Sequence, residues 1–132
     1  MNHRFSKAER INSEIIIKRI FSEGKSLFSH PFRIVWVENL HIKDTVPVEI
    51  LISVSKRKFK RAVDRNQVKR FIRESYRLNK NLLLDFCAQK DLNIQLAIVY
   101  VAKEVGDFDY YNKSMIKMLN KIIIEIEKPD KK

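Results

Sequence analysis

Three histidines, one cysteine and two short carboxylate clusters have the side-chain types best suited to proton transfer, nucleophilic attack or metal binding in this 132-residue chain. Their spacing argues against each. His3, His30 and His41 fall in unrelated segments, two of them near apparent loops or the terminus, so nothing assembles a general acid–base pair. Cys87 is alone, which leaves neither a disulfide nor a thiolate metal site within one chain, and it reads as a small buried apolar residue. The carboxylates of "DFDYY" (107–111) and "EIE" (125–127) would hold Mg2+ only weakly and read as solvated helix ends. Two glycines are too few for a glycine-rich phosphate loop. The expectation is a protein with no catalytic side chain, no metal site and no cofactor of its own.

Binding is the chemistry left, and it is concentrated in one place. A net charge of +11 and an isoelectric point near 9.9 point to a polyanionic partner, either nucleic acid or an anionic membrane. Residues 56–77 carry ten cations (Lys56, Arg57, Lys58, Lys60, Arg61, Arg65, Lys69, Arg70, Arg73 and Arg77) against only Asp64 and Glu74. That excess marks a binding patch, because an ordinary solvated face mixes signs. Val63, Val68, Phe71, Ile72 and Tyr76 are threaded through it, so the segment packs against something on its other side. No apolar run approaches the roughly 20 residues that span a bilayer. The start, "MNHRFSKAER", lacks the apolar core of a secretory signal. A cytoplasmic protein with no membrane partner is expected.

The patch needs elements to hold it. "NSEIIIKRIFSEG" predicts a first helix, capped by Asn12 or Ser13, with apolar residues at Ile16, Ile17, Ile20 and Phe21 and a left-handed Gly24 at its end. "KSLFSHPFRIVWV" predicts a short strand, a turn at His30-Pro31 and a longer strand over 32–37. After the polar connection "ENLHIKDT", the stretch "VPVEILISVS" predicts a strand with Val48, Ile50, Ile52 and Val54 on one face. Pro47 suits its start or an edge. From about residue 60 to 79 the period is helical, and "KNLLLDFCAQKD" either continues that helix or forms a separate one. "NIQLAIVYVA" predicts a strand buried on both faces. The last helix carries Tyr111, Met115, Met118, Leu119 and Ile122 on one stripe. Residues 1–127 form one domain, and 128–132 a disordered tail. Helix, strands, helix, strand, helix in this order make an α+β protein, an α/β sandwich with helices over a small sheet.

On a helical projection Arg65, Asn66, Lys69, Arg70, Arg73 and Arg77 share an arc roughly 140° wide, with Tyr76 inside it. Val68, Phe71, Ile72 and Ser75 fall opposite. The helix therefore lays an apolar face on the sheet and holds out guanidinium forks, which bridge phosphate oxygens where lysine supplies a point charge. The loop "SKRKFKRA" adds Lys56, Arg57, Lys58, Lys60 and Arg61 where a strand ends and the helix begins. A helix-turn-helix DNA reader needs a short helix just before the recognition helix, and a strand stands there instead. A broad phosphate surface, such as the backbone of folded RNA, fits better.

"SVSKRKFKRAVDRNQVKRFIRESYR" resembles the signature of the protein component of bacterial ribonuclease P. The matching positions are Ser53, Ser55, Lys56, Ala62, Val63, Arg65, Asn66, Lys69, Arg70, Arg73, Glu74, Tyr76 and Arg77, and "IFSEGKS" resembles the end of that family's first helix. Gln67 departs from an arginine of the motif, Leu51 from a glycine of the third strand, and Ile17 from a frequent aromatic. The resemblance implies an α-β-β-β-α-β-α order with a four-stranded sheet and a left-handed βαβ crossover, against the general rule of hand. It also implies an RNA-binding subunit of an endoribonuclease that removes the 5′ leader of precursor tRNA. The partners would be the catalytic RNA and precursor tRNA, with no protein partner required, and Mg2+ would enter through the RNA. A cleft between the first helix and the sheet face would hold the single-stranded leader. Phe21, Phe32, Ile34 and Trp36 are its candidates on this chain, with Ile17 and Arg19 nearby. The alternative is a general or ribosome-associated RNA-binding protein with no nuclease role.

Overall fold

The computed structural model describes residues 5–39 and 46–128. His3, His41, most of the "ENLHIKDT" connection and tail residues 129–132 lie outside the described residues. A single 3-10 turn, Lys7–Glu9, leads into α1 (Glu14–Glu23). Then come β1 (Lys25–Ser29), β2 (Phe32–Glu38), β3 (Val48–Val54), α2 (Ala62–Asn79), α3 (Asn81–Gln89), β4 (Ile94–Tyr100) and α4 (Phe108–Glu127). The α+β expectation holds. α3 is a separate helix, joined to α2 through Lys80, which keeps right-handed helical dihedrals.

The sheet order is β1-β2-β4-β3. β1/β2 and β2/β4 are antiparallel, and β3/β4 is parallel. β4 is thus flanked on both sides and covered on both faces, and its sequence is apolar throughout except for Gln95. A parallel neighbour needs a crossover, and α2 with α3 supplies it between β3 and β4.

The two faces of the sheet are covered unequally. One face carries Phe32, Ile34 and Trp36 of β2, Val48, Ile50 and Val54 of β3, and Ile94, Leu96, Ile98 and Tyr100 of β4. They form one core with Val68, Ile72 and Tyr76 of α2, Leu83 and Cys87 of α3, and the predicted α4 stripe of Tyr111, Met115, Met118, Leu119 and Ile122. Among the described residues, the opposite face meets α1 and the chain before it, in a small cluster of Ile11, Ile20, Val35, Val37 and Ala97 flanked by Ile16, Ile17 and Leu51.

α1 begins at Ser13, whose side chain accepts from the Ile16 amide and so satisfies one orphan donor. Its end corrects an expectation. Gly24 is not left-handed: φ is −73°. Glycine is required there by close approach, since a Cβ would lie 2.3 Å from the Ile20 carbonyl oxygen and 2.6 Å from Val35 Cγ1.

Candidate nucleic-acid interface

The basic segment starts in the turn after β3. Ser55 Oγ accepts from the amides of Arg57 (3.1 Å) and Lys58 (3.3 Å), closing a local side-chain turn. Phe59 then plunges into the core beside Tyr100, with ring centroids 6.0 Å apart. Lys56, Arg57, Lys58, Lys60 and Arg61 around it are exposed. Lys58 Nζ also reaches the Val101 carbonyl. One buried ring therefore anchors a loop of five cations.

Along α2, Val68, Ile72, Ser75 and Tyr76 are buried, while Asn66, Arg70 and Arg73 are exposed and Lys69 is half-buried. The arc is as wide as the projection predicts, save for one residue. Tyr76 is fully buried, not inside the arc, and burial pushes its phenol pKa far up. Two arc members have protein partners. Arg65 Nη1 donates to the carbonyls of Phe59 (2.7 Å) and Lys60 (3.1 Å), tying the loop to the helix. Arg77 bonds Glu74, and that hydrogen bond holds the Glu74 carboxyl below its ordinary range.

The expected leader cleft is corrected in its strand residues. Phe32 and Ile34 are fully buried and Trp36 is 8% exposed, all on the thickly covered face away from α1. β2 is buried on both faces along most of its length, so its burial pattern hides its phase. By register, the α1 side carries Arg33, Val99 and Ser53 in one row, with Phe28 of β1 beside Arg33. Arg33 and Phe28 are exposed, Val99 and Ser53 half-buried. On α1, Ile17 packs on the small cluster and Phe21 is 45% exposed. Arg19 is drawn toward the other end of the sheet, where it donates to Gln95 Oε1 (3.4 Å) and the Glu38 carbonyl (3.1 Å).

Sequence reasoning passed over Phe5 and Arg10. They come before the first predicted element, and only the fold brings them beside Arg70, Arg73 and Arg77. The "ER" at 9–10 carried a weak signal, a carboxylate next to an arginine in an otherwise basic chain. Among the described residues, no three His, Cys, Asp or Glu side chains group as metal ligands, and no helix is long and apolar enough to cross a membrane.

Fold and surface together define a small α+β protein whose second helix buries one face and presents cations on the other. The chain belongs to the ribonuclease P family, whose model matches residues 5–125. It is 39% identical over 118 residues to the ribonuclease P protein component of Porphyromonas gingivalis (strain ATCC BAA-308 / W83), covering 89% of this chain and 85% of that one. Identity to the Chlorobaculum tepidum ribonuclease P protein component is 35% over 103 residues, covering 74% and 67%. The fold is similar to the solved Staphylococcus aureus RNase P protein, with TM-score 0.66 and 25% identity over 88% of this chain and 95% of that one. It is similar also to the Thermotoga maritima RNase P protein, with TM-score 0.67 and 23% identity over 86% and 96%.

Proposed function

We propose that this chain is the protein subunit of a ribonuclease P, acting in the cytoplasm by binding RNA and carrying out no chemistry itself. The observation that carries the reading is the pairing of family membership with a helix whose one face is core and whose other face is a fan of cations. Asn66, Lys69, Arg70 and Arg73, with Lys56, Arg57, Lys58, Lys60 and Arg61 of the preceding turn, bind the phosphates of the large catalytic RNA. Arg65 and Arg77 contribute charge while also bracing the loop and the helix. The protein screens phosphate repulsion and favours the active RNA. Mg2+ would enter through that RNA, where it would supply an activated water for hydrolysis of the phosphodiester bond at the mature 5′ end of tRNA.

The leader of precursor tRNA lies on the thinly covered sheet face. There Ile17 and Phe21 of α1 and the row Arg33, Val99 and Ser53 offer apolar and cationic contacts to unpaired nucleotides, without base-edge readout. Reconstitution tests the whole reading. Cleavage of a precursor tRNA at its mature 5′ end is expected only when the large RNA is present, and faster when the protein is added to it. Cleavage by the protein alone refutes the division of labour. Tight RNA binding with no effect on cleavage favours a general RNA-binding protein instead.

A further inference from the structure

A groove lies beside the cationic arc. Phe5 and Arg10 from the N-terminal segment, with Asn66, Arg70, Arg73 and Arg77 from α2, line a space of about 420 Å³. Glu74 is also on its wall, bonded to Arg77. A smaller pocket of about 120 Å³ opens from Phe5, Arg10 and Arg73 toward Ile50, Leu51 and Ile52, adding an apolar wall. The larger volume falls within the ~300–1,000 Å³ range of small-ligand sites.

The N-terminal segment is fixed in place on three counts. Glu9, 4% exposed, accepts from Lys80 Nζ at 2.9 and 3.0 Å. The Ile11 amide donates to the Ile50 carbonyl at 2.8 Å, extending the sheet edge beyond β3. The Phe5 ring meets the buried Tyr76 ring edge-on, with centroids 5.7 Å apart. Arg10 folds back over Phe5: its guanidinium carbon lies 5.1 Å from the ring centroid and Nη2 donates to the Phe5 carbonyl at 3.2 Å. An exposed arginine is thereby held over an aromatic ring and bordered by two further exposed arginines.

A duplex meets such a surface only through its outer phosphates and cannot enter a groove of this size. An unpaired nucleotide can, because its base is free to stack on a guanidinium plane. Resting on the reading of α2 as an RNA surface, we infer that this groove seats one unpaired ribonucleotide. Its phosphate lies between the forks of Arg70 and Arg73, and its base stacks on the Arg10 guanidinium that Phe5 supports. The nucleotide belongs either to a single-stranded stretch of the large RNA or to the leader of precursor tRNA.

Arg10→Lys is the informative variant, since it keeps the charge and removes the plane. Binding of a short unpaired oligoadenylate to the full chain is measured over a salt series for wild type, Arg10→Lys and Arg10→Ala, with thermal melts alongside. Stacking on one base is worth enough that Arg10→Lys should weaken oligoadenylate about fivefold or more, with an unchanged salt slope and unchanged melting temperature. Wild-type binding by Arg10→Lys together with a flattened slope for Arg10→Ala means a plain phosphate contact and overturns the seat. So does no effect of either change, or no measurable oligoadenylate binding by the wild type. The same loss in titrations of the large RNA assigns the nucleotide to that RNA; a loss confined to precursor over mature tRNA in the holoenzyme assigns it to the leader. Oligoadenylate binding that depends on Arg10, without any assisted cleavage of precursor tRNA, leaves the seat standing and removes the ribonuclease P reading.

Discussion

Replacing Lys80 with methionine removes one ammonium group and leaves the Glu9 carboxylate facing an apolar neighbour. The side chains of the pair are 3% and 5% exposed, and their atoms lie 2.9 Å apart. Glu9 would keep only the amide and hydroxyl of Ser6, at 3.1 and 3.2 Å. Breaking a buried pair from one side costs about 3–5 kcal/mol, because the surviving charge stays desolvated. For a chain of this size each kcal/mol moves the melting temperature by roughly 3–6 °C, so a fall of roughly 10–30 °C is expected. The chain has a cheaper route if the 5–11 segment peels away and rehydrates Glu9. In that case the melt falls less, but the Ile11 amide, bonded to the Ile50 carbonyl at 2.8 Å, exchanges faster with solvent. The double variant Glu9→Gln with Lys80→Met removes both charges and should recover most of the loss, giving a large coupling in the double-mutant cycle. Thermal melts and hydrogen exchange of the three variants decide the matter. A Lys80→Met protein that melts within about 3 °C of wild type, with Ile11 still protected, refutes the claim that this pair pins the N-terminal segment.

Replacing Lys69, Arg70 and Arg73 together with alanine should reduce the log–log salt slope of large-RNA binding by about 2–3, at roughly 0.7–0.9 per phosphate contact; an unchanged slope would exclude the arc as the RNA surface. Trp36→Ala should cost about 3–5 kcal/mol of stability and weaken precursor and mature tRNA equally, as befits core. Phe21→Ala and Arg33→Ala should spare the melt and weaken precursor tRNA selectively, and equal losses for both tRNAs would show that the α1 side does not hold the leader. Burial pushes the Cys87 thiol up to about 11 from 9.0. Between those values the unfolded thiol ionises first and the folded state holds the extra proton, so stability should fall as pH rises through that window. At pH 8 the native thiol should resist iodoacetamide, and alkylation as fast as in urea would contradict its burial.

The strands and helices were legible because their periods are clean. α4 shows its whole buried stripe, and β4 shows the apolar run, interrupted only at Gln95, of a strand flanked on both sides. β2 was different. "FRIVWV" is apolar at every position but Arg33, so alternation could not say which of its faces meets α1. Aromatics drew the leader residues to Phe32, Ile34 and Trp36, whereas bulk belongs on the face that α2, α3 and α4 cover. The better signal was polarity in phase across the sheet. Arg33, Glu49, Ser53 and Gln95 all point to one side, and a face that tolerates them is the thinly covered one. Tyr76 failed for a related reason: angle alone placed it in the arc, while the N-terminal segment, unpredicted as an element, covers it with Phe5.

That segment also explains how so many like charges can share one surface. Ten cations within residues 56–77 repel one another, and nothing in their own side chains would keep the loop and helix in one shape. The bracing comes from one apolar anchor and from charged groups paired within the protein. Phe59 nails the loop to the core, and Arg65 turns two loop carbonyls into its ligands. Glu74 absorbs the charge of Arg77, and the buried Lys80–Glu9 pair clamps residues 5–11 along the helix. Each polar brace engages a charged group within the protein and so holds the others at fixed spacing. A polyanion that binds this surface then meets donors already in position. Less ordering entropy is lost on association, and a larger share of the counterion release appears as affinity.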